Sequence, residues 1–410
     1  MSVFPLLSVL IVVSAVFAYV NFRFIKLPWS IGLMFLALIS SLIIFAVGEI
    51  YPSFANYITG MIQAVDFSRL LMGSMLSFML FAGSIHIKLE DLKPERFSVI
   101  IFSTMGVLLS TFIVGILVYY LLMLFNMQVG FVYCLLFGSL ISPTDPIAVL
   151  GVLKEAKISK SLETKMAGES LFNDGVAVVV FVTLLEVAEQ PGDLNWLKVA
   201  GLFAQEALGG LLWGVLIGYL GFVLMRSINN YKVEVMITLA IVMGGYSLAS
   251  LLHISGPLAM VAAGIIIGNQ AKNEAVSVQT SEYIDKFWEL IDEILNAVLF
   301  VLIGFELLII NLHFLYVLIG IGAIAIVLFS RYVSVLLPAQ IVKLKERVSH
   351  KTILILTWGG LRGGISIALA LSIKPEMHKD LWVTLTYVIV AFSILVQGLT
   401  VGRFAKRLNK

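Results

Sequence analysis

Thirteen stretches of this chain are long and apolar enough to cross a hydrocarbon core of about 30 Å, and they leave little sequence for anything else. They run roughly over 3–20, 28–48, 70–85, 98–125, 129–153, 166–188, 199–225, 233–252, 256–271, 287–310, 313–340, 352–373 and 381–402. Lipid offers the backbone no hydrogen bonds, so runs of this length must satisfy themselves as helices. The expected fold class is an all-α polytopic membrane protein with about 13 transmembrane helices. Composition agrees: 60% of the 410 residues are hydrophobic and only 13% charged. Stretch 3–20 has the length of a secretory-signal core, but no positive charge precedes it, and it reads as a retained first span. The third and ninth stretches are short, which suits a tilted, kinked or protein-buried segment.

Positive residues are retained on the cytoplasmic side of a membrane. Loops after odd-numbered spans, counting the tail, hold 21 of the 27 lysines and arginines, and loops after even-numbered spans hold 4. The remaining two, Arg331 and Arg362, fall inside spans. This asymmetry predicts a multi-pass protein of the plasma or inner membrane, with its N-terminus outside and its C-terminus in the cytoplasm. The net charge of +2 gives no reason to expect a nucleic-acid partner, and Cys134, the single cysteine, excludes a disulfide framework. No composition shift or long linker marks a second domain, and only about eight residues follow the last span, so no soluble regulatory module is expected.

Asp145 lies between Pro143 and Pro146 in the middle of span 5. Each proline removes a backbone donor and pushes the residue before it out of helical geometry, so Ser142 and Asp145 both read as extended. Irregular, charged backbone at mid-membrane must face protein or a water-filled cavity, which makes transport the first functional expectation. Span 12 carries a matching defect in Trp358-Gly359-Gly360-Leu361-Arg362-Gly363-Gly364-Ile365-Ser366. The two interrupted spans are seven apart and so run in opposite directions, as in two inverted-topology six-helix repeats whose broken helices 5 and 12 cross at the midplane. Spans 1–6 would pair with 8–13, and span 7 would connect them. Broken helices leave positive ends at half-helix N-termini and negative ends at C-termini. Asp145 is expected against the former and Arg362 against the latter.

Span 6 reads Ala167-Gly168-Glu169-Ser170-Leu171-Phe172-Asn173-Asp174-Gly175. At 100° per residue, Glu169, Ser170, Asn173 and Asp174 fall within an arc of about 140°, a face that lipid cannot accept. A dehydrated alkali cation needs hard oxygen ligands. Asp174, Ser170, Asp145 and a carbonyl freed near Thr144 supply such a set. Burial disfavours a carboxyl group's charged form, so a proton and a cation compete for one seat, and that competition by itself gives exchange. Glu169 reads as structural, with Arg331, midway along span 11, as the nearest buried cation in kind. Glu206, Asp292, Glu293, Asn296 and Glu306 read as snorkelling or funnel-lining groups, and His86, His253, His313, His350 and His378 as solvated surface.

Four stretches carry a resemblance over essentially the whole chain: Ser142-Pro143-Thr144-Asp145-Pro146, Gly168 to Gly175, Ser255-Gly256-Pro257-Leu258-Ala259 and Gly359 to Gly364. They resemble the monovalent cation:proton antiporters, specifically the prokaryotic NhaP-type sodium/proton antiporters and their animal exchanger relatives. The resemblance implies a homodimer without a cofactor. Residues 98–188 and 311–410 would form a transport core, 1–97 and 226–310 a dimerisation and interface domain, and 189–225 a linking helix. It implies Asp174, Asp145, Ser170 and Thr144 as ligands of Na+, Glu169 held by Arg331, and, through Asn173, electroneutral one-for-one exchange. The animal relatives' cytoplasmic tail has no counterpart in the sequence. The expected substrates are Na+ (also Li+) and H+, with K+ or mixed selectivity as the alternative inside the same mechanism. Outside it stand a passive cation channel and an intramembrane aspartyl protease using Asp145 and Asp174; the Gly-x-Gly-Asp pattern expected of the latter is absent.

Overall fold

The computed structural model of the chain describes residues 3–63, 67–145, 149, 159–189, 196–310, 313–342 and 348–409. The helices are α1 Val3–Val20, α2 Trp29–Ile50, α3 Pro52–Gln63, α4 Phe67–Leu70, α5 Leu76–Ile85, α6 Leu89–Leu124, α7 Phe131–Ile141, α8 Lys160–Glu189 and α9 Trp196–Arg226. They continue with α10 Tyr231–Leu251, α11 Gly256–Ile266, α12 Val278–Glu306, α13 Phe314–Val342, α14 His350–Trp358, α15 Gly364–Ser372, α16 Lys379–Phe392 and α17 Gly398–Asn409. Four starts are fixed by side-chain caps: Asn230, Ser255, Ser277 and Ser349 each accept a hydrogen bond from a first-turn backbone N–H of α10, α11, α12 and α14.

Among the described residues nine helical runs are long and apolar enough to cross a membrane, against thirteen stretches in the sequence. Each of the four differences has a physical origin. Span 5 is helical only over the 11 residues of α7, and its continuation, Pro146 included, lies outside the described residues. Span 12 is cut into α14 and α15, nine residues each. Span 9 is regular only over the 11 residues of α11 and then widens into a π-helical segment, Ile267–Ala275. Span 10 is the second half of α12, which carries Glu289, Asp292, Glu293 and Glu306 and is too acidic for a plain lipid-facing span.

The helices pack in two sets. In one, α6 runs along α13 and against α7 and α8, while α16 covers α13 and α15. In the other, α11 sits between α9 and α5, α12 packs on α2 and α5, and α10 closes on α9 and α11. Contacts between the sets run mainly from α8 to α9 and α11 and from α15 to α12. Large apolar side chains such as Phe45, Leu212, Met236 and Phe329 are exposed on the outer surface, as a bilayer-embedded protein requires.

Candidate ion-binding site

The two interrupted spans meet at one backbone hydrogen bond. The Asp145 N–H donates to the Leu361 carbonyl at 2.8 Å, an isolated antiparallel bridge between two stretches that have both left helical geometry. Arg362 braces the same point. Its guanidinium donates to the Ser142 carbonyl and, at 2.9 Å, to the Pro143 carbonyl, the acceptors left open where α7 ends. Its own N–H donates to Ser393 Oγ at 2.9 Å. Ser393 opens a π-helical turn, Ser393–Gln397, whose Gln397 amide reaches the Trp358 carbonyl at the end of α14. Arg362 therefore lies against a negative helix end. Asp145 lies beside a positive one: α15 begins at Gly364, and a Cβ on Gly363 would come within 2.6 Å of Asp145 Oδ2. Only glycine lets that carboxylate sit so close to the helix start.

The polar face of α8 docks on this crossing. Asn173 Nδ2 donates to Thr144 Oγ1 at 2.8 Å, and its Oδ1 accepts from the Thr144 N–H at 3.4 Å, so one amide clamps Thr144 from both ends. Ser170 Oγ donates to the Thr144 carbonyl and lies 3.4 Å from its hydroxyl. Glu169 turns away from the crossing. Its Oε1 meets Arg331 at 2.6 Å, and Arg331 also donates to the Leu356 carbonyl at the end of α14. Both ionic side chains are buried, so the pair ties α8 to α13 and α14 with its charges compensated.

Asp174 and Asp145 are half-buried, and both open, with Thr144, onto a cavity of about 570 Å³. Among the described residues no hydrogen bond or ion pair reaches the Asp174 carboxylate. Its wall carries further acidic groups, Glu163, Asp285, Glu289 and Asp292. At its mouth His86 lies 3.3 Å from Asp285, which also pairs with Lys272. Two water-accessible carboxylates beside a hydroxyl and an unwound backbone suit a hard monovalent cation or a proton. The structure thus gathers Asp145, Asp174, Thr144, Ser170, Asn173 and Arg362 at one place and sets Glu169 with Arg331 behind it. The sequence reading missed Ser393 and Gln397, although polar residues at i and i+4 inside an apolar span were a visible signal.

Broken spans joined at mid-molecule, with paired carboxylates on an aqueous cavity, define a secondary transporter rather than an enzyme. The profile described as "sodium/hydrogen exchanger, transmembrane" matches residues 11–407, and the chain belongs to that family. It is 48% identical to the Na(+)/H(+) antiporter NhaP of Pseudomonas aeruginosa, over 98% of this chain and 96% of that one. It is 33% identical to the Na(+)/H(+) antiporter NhaH of Halobacillus dabanensis, over 94% and 93%. The fold matches that of the sodium proton antiporter MjNhaP1 from Methanocaldococcus jannaschii at pH 8 with a TM-score of 0.76, covering 99% of this chain and 98% of that one at 19% identity.

Proposed function

We propose that this protein exchanges a monovalent cation, sodium in the first place, for a proton across the plasma membrane, with Asp174 and Asp145 as the charged ligands and Ser170 and Thr144 as neutral ones. The observation that carries this reading is the pair of carboxylates sharing one aqueous cavity at the crossing of two broken spans. Either occupant leaves the site with one added positive charge. An empty site strands carboxylate charge, and taking such a charge out of water costs several kcal/mol, so the protein crosses loaded and exchange is coupled. Because Na+ and H+ carry the same charge, one-for-one turnover moves no net charge, in keeping with Asn173 being amide rather than acid.

The packing of α6, α7, α8, α13, α15 and α16 as one set supports a transport core that moves against the remaining helices. The distribution of basic residues supports a cytoplasmic C-terminus, which places the mouth formed by His86 and Asp285 on the cytoplasmic side. A homodimer, as the family resemblance implies, is part of the same reading.

The test is proton efflux from everted vesicles or proteoliposomes on addition of Na+, Li+ or K+ at several pH values. Wild-type protein is expected to respond to Na+ and Li+, with the apparent KM for Na+ falling as pH rises because protons compete for the same carboxylates. Asp174→Asn is expected to abolish the response. A response by Asp174→Asn equal to wild type, or no cation-dependent pH change by wild type, overturns the reading.

A further inference from the structure

A second cavity, about 850 Å³, lies at the opposite end of the same helices. The helices that line the first cavity line this one further along. α8 gives Asp174 to the first and Phe181 to the second, and the chain around α5 gives Met79 to the first and Met72 to the second. Seven residues separate each pair, so about two helical turns, on the order of 10 Å, divide the cavities.

The α12 helix runs past both. Asp285, Asp292, Leu299 and Glu306 follow one another at intervals of seven, each about 20° short of two full turns, and so form one stripe. The first three line the inner cavity and Glu306 lines the outer one. Leu299 marks the barrier: it is buried, and a Cβ on Gly364 would come within 2.5 Å of its Cδ1. Gly364 adjoins Gly363, against which Asp145 rests, so the apolar member of the stripe stands level with the ion site. Asp292 and Glu306 flank it about 21 Å apart.

These two carboxylates are placed for a ligand. Glu306 is only 6% exposed, and among the described residues no hydrogen bond or ion pair reaches its carboxylate. One turn from Asp292, the Oδ1 of Asn296 is buried without a partner among the described residues. Burial of polar oxygens in this way is costly unless something intermittently fills the site. The α12 helix packs mainly on α2, α5, α10 and α1, and touches α15 of the other set only lightly, so it is the side past which the ion site would move.

We propose that Asp292 and Glu306 are two hand-off stations for the transported cation or proton, one on each side of the membrane, held on a helix that does not travel with the ion site. Each receives the occupant released from Asp174 and Asp145 into its own cavity. Leu299 prevents the stations from communicating directly. The inference rests on the exchange reading above.

Exchange is measured in sealed vesicles of known orientation, with Na+ varied first at one face and then at the other. Asp292→Asn is expected to raise the apparent KM for Na+ roughly tenfold at one face and leave the other unchanged. Glu306→Gln is expected to do the same at the opposite face. Monodisperse elution reports folding; should either variant fail it, the charge-keeping Asp292→Glu and Glu306→Asp replace it and are expected to move the same one-sided KM. KM changes equal at both faces, or none in either variant, overturn the hand-off stations while leaving exchange intact. Absence of exchange in wild-type protein overturns the exchange reading itself.

Discussion

Glu169 and Asn173 stand one helical turn apart on α8 and serve different ends. Glu169 is buried against Arg331, so Glu169→Gln leaves a guanidinium uncompensated and is expected to cost about 3–5 kcal/mol, read as a lower unfolding temperature in detergent. Replacing both partners by apolar residues is expected to recover much of that loss. Asn173 holds Thr144 through a donor and an acceptor at once. Asn173→Asp loses the donor and adds a second negative charge on α8, which demands a further proton. Its exchange is expected to become dependent on membrane potential, measured by clamping vesicles with valinomycin and potassium, whereas wild-type exchange is expected not to respond. The residue types on this face were legible in the sequence because charge in a span is conspicuous. Their division into ion ligands and scaffold was less so, since helical periodicity says that four residues share a face but not which neighbour each meets.

At the scale of elements, the crossing works because both chains leave helical geometry at the same point and satisfy each other there. Leu361 supplies the acceptor for Asp145, and Arg362 covers the open carbonyls after α7. Gly363→Ala would push a Cβ into the Asp145 carboxylate and is expected to lower exchange by about tenfold or more with folding intact, because misplacing a reacting group by even an ångström is severe. Gly201→Ala on α9 is the matched control: nothing lies within 4 Å of its added carbon, and unchanged exchange is expected. Breaker residues made both interruptions visible in advance. The π-helical turn at Ser393–Gln397 was not visible, because an extra residue in a helical turn leaves hydropathy unaltered and is stabilised only by what it touches.

Across the whole molecule, two cavities lie along one seam between the helix sets, with about two turns of packed side chains between them. Their mouths are expected on opposite faces. Single cysteines at Ser68 in the outer cavity and Glu289 in the inner one provide the check, since native Cys134 is buried and contributes little background. A membrane-impermeant maleimide is expected to label Ser68→Cys only from outside and Glu289→Cys only from the cytoplasmic side. Labelling of both from one face would contradict the arrangement.

Hydropathy, basic-residue placement and helix breakers are local properties that the bilayer reads directly, since it admits neither unsatisfied backbone nor stray charge. From these alone followed a helical membrane protein, the broken fifth and twelfth spans, and the carboxylates at 145 and 174. Only the folded arrangement decided that Thr144 is clamped by Asn173, that Glu169 faces Arg331, and that the acidic stripe of α12 runs along both cavities. Those facts depend on which helices become neighbours. Packing between distant segments sets that, and no single span encodes it.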